Sequence, residues 1–154
     1  MKGYDFAGPA LELGALVRED GTIDPAERIR LPLAMMNRHG LIAGATGTGK
    51  TKTLQLMAEQ LSAAGVPVFL ADVKGDLSGM ASPGLPGQRV LSRAAEVGQD
   101  WSPAACPVEF FSLGGLGEGV PLRATVTSFG PTLLAKVLGL NETQESSLGL
   151  IFHF

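Results

Sequence analysis

Leu41-Ile42-Ala43-Gly44-Ala45-Thr46-Gly47-Thr48-Gly49-Lys50-Thr51 is the stretch that decides the fold. A short apolar run enters a glycine-rich loop, and the loop ends in Lys-Thr at the head of a helical pattern. From Lys50 to Ala64, Leu54, Met57, Ala58 and Leu61 recur at the i, i+3, i+4, i+7 spacing of one helix face. Lys52, Gln55, Glu59 and Gln60 fill much of the opposite face, and Gly65 stands where a helix-ending glycine belongs. A second apolar run, Val66–Ala71, ends at Asp72; Pro67 is compatible with a strand there only near its start. Strand, helix, strand at this spacing predicts a βαβ unit with a parallel sheet and a right-handed crossover. The expected fold class is α/β: a three-layer sandwich with a mainly parallel sheet.

The loop itself reads Gly44-x-x-x-x-Gly49-Lys50-Thr51, a P-loop. Glycines let the backbone wrap closely with positive φ, so that successive N–H groups converge on a phosphate. The following helix points its positive end at the same anion. The candidate nucleotide-binding residues are Gly44, Ala45, Thr46, Gly47, Thr48, Gly49, Lys50, Thr51 and Lys52. Lys50 is the candidate catalytic residue, reaching the β- and γ-phosphates, and the Thr51 hydroxyl is the candidate Mg²⁺ ligand. The expected cofactors are ATP and Mg²⁺.

Two neighbouring motifs fit less well. A dinucleotide-binding G-x-G-x-x-G frame starting at Gly47 would need glycine where Lys52 stands, and it would leave Lys50-Thr51 without a role. Asp72-Val73-Lys74-Gly75 matches the D-x-x-G of a GTPase switch. However, only one helix separates it from Lys50, and no guanine-reading Asn/Thr-Lys-x-Asp appears. Asp72 reads equally well as a functional residue at a strand end and as the cap of a charged turn with Lys74 and Asp76.

Around this centre, residues 1–36 form an expected lead-in, where extended pieces at Ala10–Val17 and Ile29–Met36 flank the Asp20-Gly21 turn signal as a short β-hairpin or the edge of a small β-domain, and residues 37–154 a partial ATPase domain. Residues 78–106 are rich in Pro, Gly, Ser and Ala and read as loop, with a short helix near Arg89–Val97. Val108–Leu113 reads as a third strand, followed by the loop Gly114-Gly115-Leu116-Gly117-Glu118-Gly119. Two helices are expected to close the chain. The first spans about Phe129–Leu138, with Ser128 as N-cap and Pro131 in its first turn. The second follows Asn141, where Asn141 and Gln144 make a capping-box pair. It is still helical in character at Phe154, so the domain is expected to be cut short at its C-terminus. Trp101, Phe110 and Phe111 are expected in the core rather than as base-stacking platforms.

With 45% hydrophobic and 18% charged residues in 154, the chain reads as a globular domain rather than a disordered one. The net charge of −3 supplies no global basic field for nucleic acid. A single cysteine, Cys106, excludes an internal disulfide and a cysteine zinc cluster, and His39 and His153 lie far apart. Asp5 and Glu12 interrupt the only apolar stretch near the N-terminus, and no run approaches the ~20 apolar residues of a membrane span. A cytoplasmic location without membrane contact is expected.

Asn37-Arg38-His39-Gly40 running into Leu41–Thr51 resembles the P-loop region of HerA-like helicases and translocases, a branch near the FtsK motors. Val68-Phe69-Leu70-Ala71-Asp72-Val73-Lys74-Gly75-Asp76-Leu77-Ser78 is similar to that family's second strand and acidic turn. Thr132–Leu140 with Asn141-Glu142-Thr143-Gln144-Glu145 resembles the bacterial HerA-like proteins in particular. The resemblance covers about residues 30–154 and is most specific over 37–79. It implies the N-terminal part of a RecA-like ATPase domain that assembles as a hexameric homo-oligomer and moves double-stranded DNA through its centre. It places Lys50 and Thr51 in the family's phosphate and Mg²⁺ roles, with Arg38-His39 matching just before the first strand. It also implies a Walker B Asp-Glu strand beyond Phe154, since neither Val66–Asp72 nor Val108–Leu113 supplies one. Arg123 is the candidate arginine finger only by its place after a loop. Without the acids, the chain alone is expected to bind nucleotide weakly and hydrolyse it poorly.

Two other classes stay open on the residues alone. A P-loop phosphotransferase would need an Arg-rich lid, for which residues 78–123 offer only Arg89, Arg93 and Arg123. An assembly module could keep the loop for nucleotide binding without catalysis.

Overall fold

In the computed structural model of the chain, residues 6–153 are described; the readings of Asp5 and Phe154 lie outside them. The chain divides into two compact units, Met1–Val108 and Glu109–Phe154. The architecture is α/β, with two small two-stranded sheets among the described residues, one antiparallel and one parallel.

The first unit opens on an antiparallel hairpin of β1 (Ala10–Val17) and β2 (Ile23–Pro32), with register running from Ala10 opposite Pro32 to Val17 opposite Ile23. The turn forms where Asp20-Gly21 marks it. The Asp20 carboxylate accepts from the Thr22 N–H at 2.9 Å and hydroxyl at 2.7 Å, and these bonds hold its carboxyl below the usual carboxylate range. The register shifts between Ala15 (opposite Arg28) and Leu16 (opposite Asp24), which loops out the stretch holding Pro25, so proline removes no ladder bond.

Helix α1 (Lys50–Ala63) follows the expected span. It ends as the apolar spacing and Gly65 indicate: the Gly65 N–H donates to the Ser62 carbonyl and the Val66 N–H to that of Leu61, both at 2.9 Å. Gly65 takes φ +77, the left-handed state this paired motif requires. The hairpin is fastened to α1 by Gln60, whose Oε1 accepts from the Glu12 N–H at 2.7 Å and whose Nε2 donates to the Glu12 carbonyl at 3.0 Å. Beside this joint Leu11 is fully buried and Ala58 nearly so. The Glu12 carboxylate in turn pairs with Arg28 at 3.2 Å and Arg30 at 2.8 Å. Arg28 also donates to the carbonyls of Val97 and Gly98 at 2.7 and 2.6 Å. These close the C-terminal end of α2 (Gln88–Glu96), where a cation suits the helix dipole.

The two apolar runs beside α1 depart from expectation. Leu41–Ala43 and Val66–Ala71 carry no strand pairing, and the βαβ unit is not formed among the described residues. Leu41 is 89% exposed and Phe69 78%. Parallel strands depend on neighbours that are distant in sequence and on cover over both faces, and neither is present for these runs. Local helix bonds need no such partner, which is why α1 forms and its flanking strands do not.

In the second unit, β3 (Phe111–Leu113) is shorter than the expected Val108–Leu113 and pairs in parallel with β4 (Val120–Leu122), a strand the sequence does not announce. The glycine-rich loop between them turns the chain back over unusually few residues for a parallel pair. Gly119 is essential to that return: a Cβ there would meet the Phe110 carbonyl oxygen at 2.5 Å. Phe110 and Phe111 are about half exposed rather than buried, because the short sheet has no covering layer; Trp101, in the first unit, is part-buried against Gly84.

Helix α3 (Val126–Leu138) starts earlier than expected. Thr125, not Ser128, is its N-cap, accepting from the Ser128 N–H at 3.1 Å. Gly130 breaks the helical path at φ +71, ψ 166, and Pro131 restarts it in first-turn position. Helix α4 (Glu142–His153) has the expected capping box: the Asn141 and Gln144 side chains each accept from the other's N–H at 3.0 Å. Ala135 is 1% exposed on α3.

Candidate nucleotide-binding site

Gly44, Ala45, Thr46, Gly47 and Thr48 form an irregular loop, Gly49 is the N-cap of α1, and Lys50, Thr51 and Lys52 make its first turn. All the candidate residues are therefore brought together. The loop closes on itself through Thr48, whose hydroxyl donates to the Ala45 carbonyl at 2.8 Å and whose N–H reaches the same oxygen at 3.4 Å. Gly47 and Gly49 sit at φ +82 and +95, where side chains are strained. Gly44 is held by proximity instead: a Cβ there would lie 2.5 Å from the Thr48 hydroxyl.

Lys50 leaves the helix backwards and lies across the loop. Its ammonium donates to the carbonyls of Gly44 at 2.8 Å and Ala45 at 2.7 Å. An ammonium has three protons, so two bonds tie the lysine to the loop and the third remains for a further acceptor. The first helical bond runs from the Thr53 N–H to the Gly49 carbonyl at 2.9 Å. The N–H groups before it therefore lie at the open end of the helix. Gly49 brings no side-chain cap and no acid stands in the first turn, so the positive end of α1 is not offset by a side chain of its own first turn.

One turn into α1, Gln55 accepts from the Lys52 ammonium at 2.9 Å and donates through Nε2 to the Asp76 carbonyl at 2.7 Å. The sequence marks Gln55 only as a polar-face residue. The available signal is its place four residues after Thr51, on the same helix face. The turn it touches is closed by Asp72, which accepts from the N–H groups of Gly75 at 2.8 Å and Leu77 at 3.0 Å. The Leu77 bond foremost holds the Asp72 carboxyl below its ordinary range. The geometry thus supports the capping reading of Asp72.

Among the described residues the other candidates make no hydrogen bond or ion pair with the loop. Arg38, His39, Arg89 and Arg123 are exposed, and Arg93 pairs with Glu96 at 2.6 Å. Among the described residues no group of three or more His, Cys, Asp or Glu is placed to hold a metal ion, and no helix is long and apolar enough to cross a membrane.

Set beside known proteins, the chain gives no match among curated proteins or solved structures. A family profile described as "Helicase HerA-like C-terminal" matches residues 18–154. That description is of the C-terminal region of HerA-like helicases. The match takes in the hairpin from Arg18, the glycine loop, the acidic turn and both closing helices. The chain belongs to the HerA-like helicase family.

Proposed function

We propose that the chain binds ATP with Mg²⁺ at Gly44–Lys52 and serves an ATP-driven motor acting on double-stranded DNA. The observation that carries this is the Lys50 ammonium, bonded to the Gly44 and Ala45 carbonyls across a loop in which a Cβ at Gly44 would crowd the Thr48 hydroxyl. A lysine held in that way is aimed rather than free, with one N–H left to donate a hydrogen bond to a phosphate oxygen. The residues fit a triphosphate. Loop and first-turn N–H groups would hold its oxygens, Lys50 its charge, and the Thr51 hydroxyl the Mg²⁺. The metal supplies neutralisation of phosphate charge when bound. The chain's own part is to bind and orient, which is where catalysis of phosphoryl transfer chiefly resides.

DNA translocation, assembly as a hexameric homo-oligomer, a cytoplasmic setting and a RecA-like three-layer fold belong to the same proposal. Family membership supports the first two. For the fold, the support is that Leu41–Ala43 and Val66–Ala71 flank α1 in sequence as the strands of a βαβ unit do. The test is ATP turnover by the full-length protein with and without duplex DNA. Stimulation by DNA is expected. Turnover only with a small acceptor would replace the motor with a phosphotransferase, and binding without turnover would leave an assembly module.

A further inference from the structure

Gln55 is joined on both sides of its amide. Its Oε1 accepts a hydrogen bond from the ammonium of Lys52, a first-turn residue of α1, and its Nε2 donates one to the Asp76 carbonyl. The turn at Asp76 is not loose. Asp72 closes it over Gly75 and Leu77, the Ser78 hydroxyl donates to the Gly75 carbonyl at 3.1 Å, and Leu77 is buried. A single side chain therefore connects the first turn of a helix to a preformed loop of separate sequence. The Gln55 bond to the Asp76 carbonyl holds this turn to α1, and a turn held there opens its own Asp72 bonds less often.

We propose that Gln55 is a positioning residue that couples the head of α1 to the turn Asp72–Ser78, so that a triphosphate bound at the glycine loop steadies that turn. The inference rests on the nucleotide reading above. A ligand that orders the first turn of α1 suppresses the local openings of what is tied to it. The amides of Gly75 and Leu77, protected by Asp72, report such openings directly.

The test is hydrogen exchange at the Gly75 and Leu77 amides in the full-length protein, with and without the slowly hydrolysed analogue ATPγS and Mg²⁺. Calorimetry measures binding of the same analogue. The wild type and two variants are compared: Gln55→Glu, which keeps an acceptor for Lys52 but has no amide donor, and Gln55→Met, which removes both hydrogen bonds without adding charge. In the wild type ATPγS should slow both amides by about fivefold, the scale of one net hydrogen bond. Both variants should still bind ATPγS and show no slowing. Binding without slowing in the wild type overturns the coupling, as does full slowing in either variant. Absence of binding in the wild type calorimetry instead overturns the nucleotide reading, and this inference falls with it.

Discussion

The Lys50 ammonium donates to the Gly44 carbonyl at 2.8 Å, bonding the last part of the glycine loop to its first residue. The same Gly44 leaves no space on its Cα, because the Thr48 hydroxyl fills it. Gly44→Ala should therefore open the loop and weaken binding of ATPγS, with little change in thermal unfolding. Removing the obstructing hydroxyl should relieve the clash: Gly44→Ala with Thr48→Ala should bind better than the sum of the two single losses predicts. Calorimetric titration of the four proteins checks this non-additivity.

Gln60 and Glu12 carry the joint between hairpin and helix. Gln60→Ala removes both amide bonds and leaves the part-buried Glu12 backbone without them, at a cost of about 1–3 kcal/mol. Leu11→Ala, at the fully buried position beside it, should cost about 2–5 kcal/mol. Urea unfolding followed by circular dichroism measures both.

Protonation of Asp72 should loosen its turn. Its carboxyl is depressed in the folded chain, so the stabilisation is present above the unfolded carboxylate pKa and is lost as pH falls through the lower folded value. NMR titration should show the Gly75 and Leu77 amide signals moving together with the Asp72 carboxyl below about pH 4. Asp72→Asn should remove that titration.

Thr125→Ala should destabilise the second unit by about 1 kcal/mol, the ordinary loss of a helix cap, and more than Ser128→Ala does. Thermal unfolding of the two variants decides between these caps.

Legibility in the sequence follows the range of the interactions. Helix α1, its Gly65 ending and the Asn141–Gln144 box depend on residues within a turn or two, and all were readable. The loop residues are likewise consecutive, so their gathering at the head of α1 follows once the helix is placed. Leu41–Ala43 and Val66–Ala71 look like strands by composition, but a strand exists only through its partner, and apolarity alone names none. The short β3–β4 pairing hid behind glycines that read as an unstructured loop. At α3 the chain offers two capping hydroxyls, and Gly130-Pro131 drew the start toward the later one, though the helical path already begins at Val126. Gln55 was invisible as a connector because its partner is the backbone of Asp76, which no side-chain pattern records.

The central claim is that the loop from Gly44 to Thr51 holds a nucleoside triphosphate through Lys50. Isothermal calorimetry of the full-length protein with ATPγS and Mg²⁺ tests it most directly, repeated with Lys50→Ala. Saturable binding by the wild type, weakened about tenfold or more in the variant as for loss of a charge-assisted hydrogen bond, is the predicted result. No binding by the wild type, or equal binding by both proteins, would contradict the account.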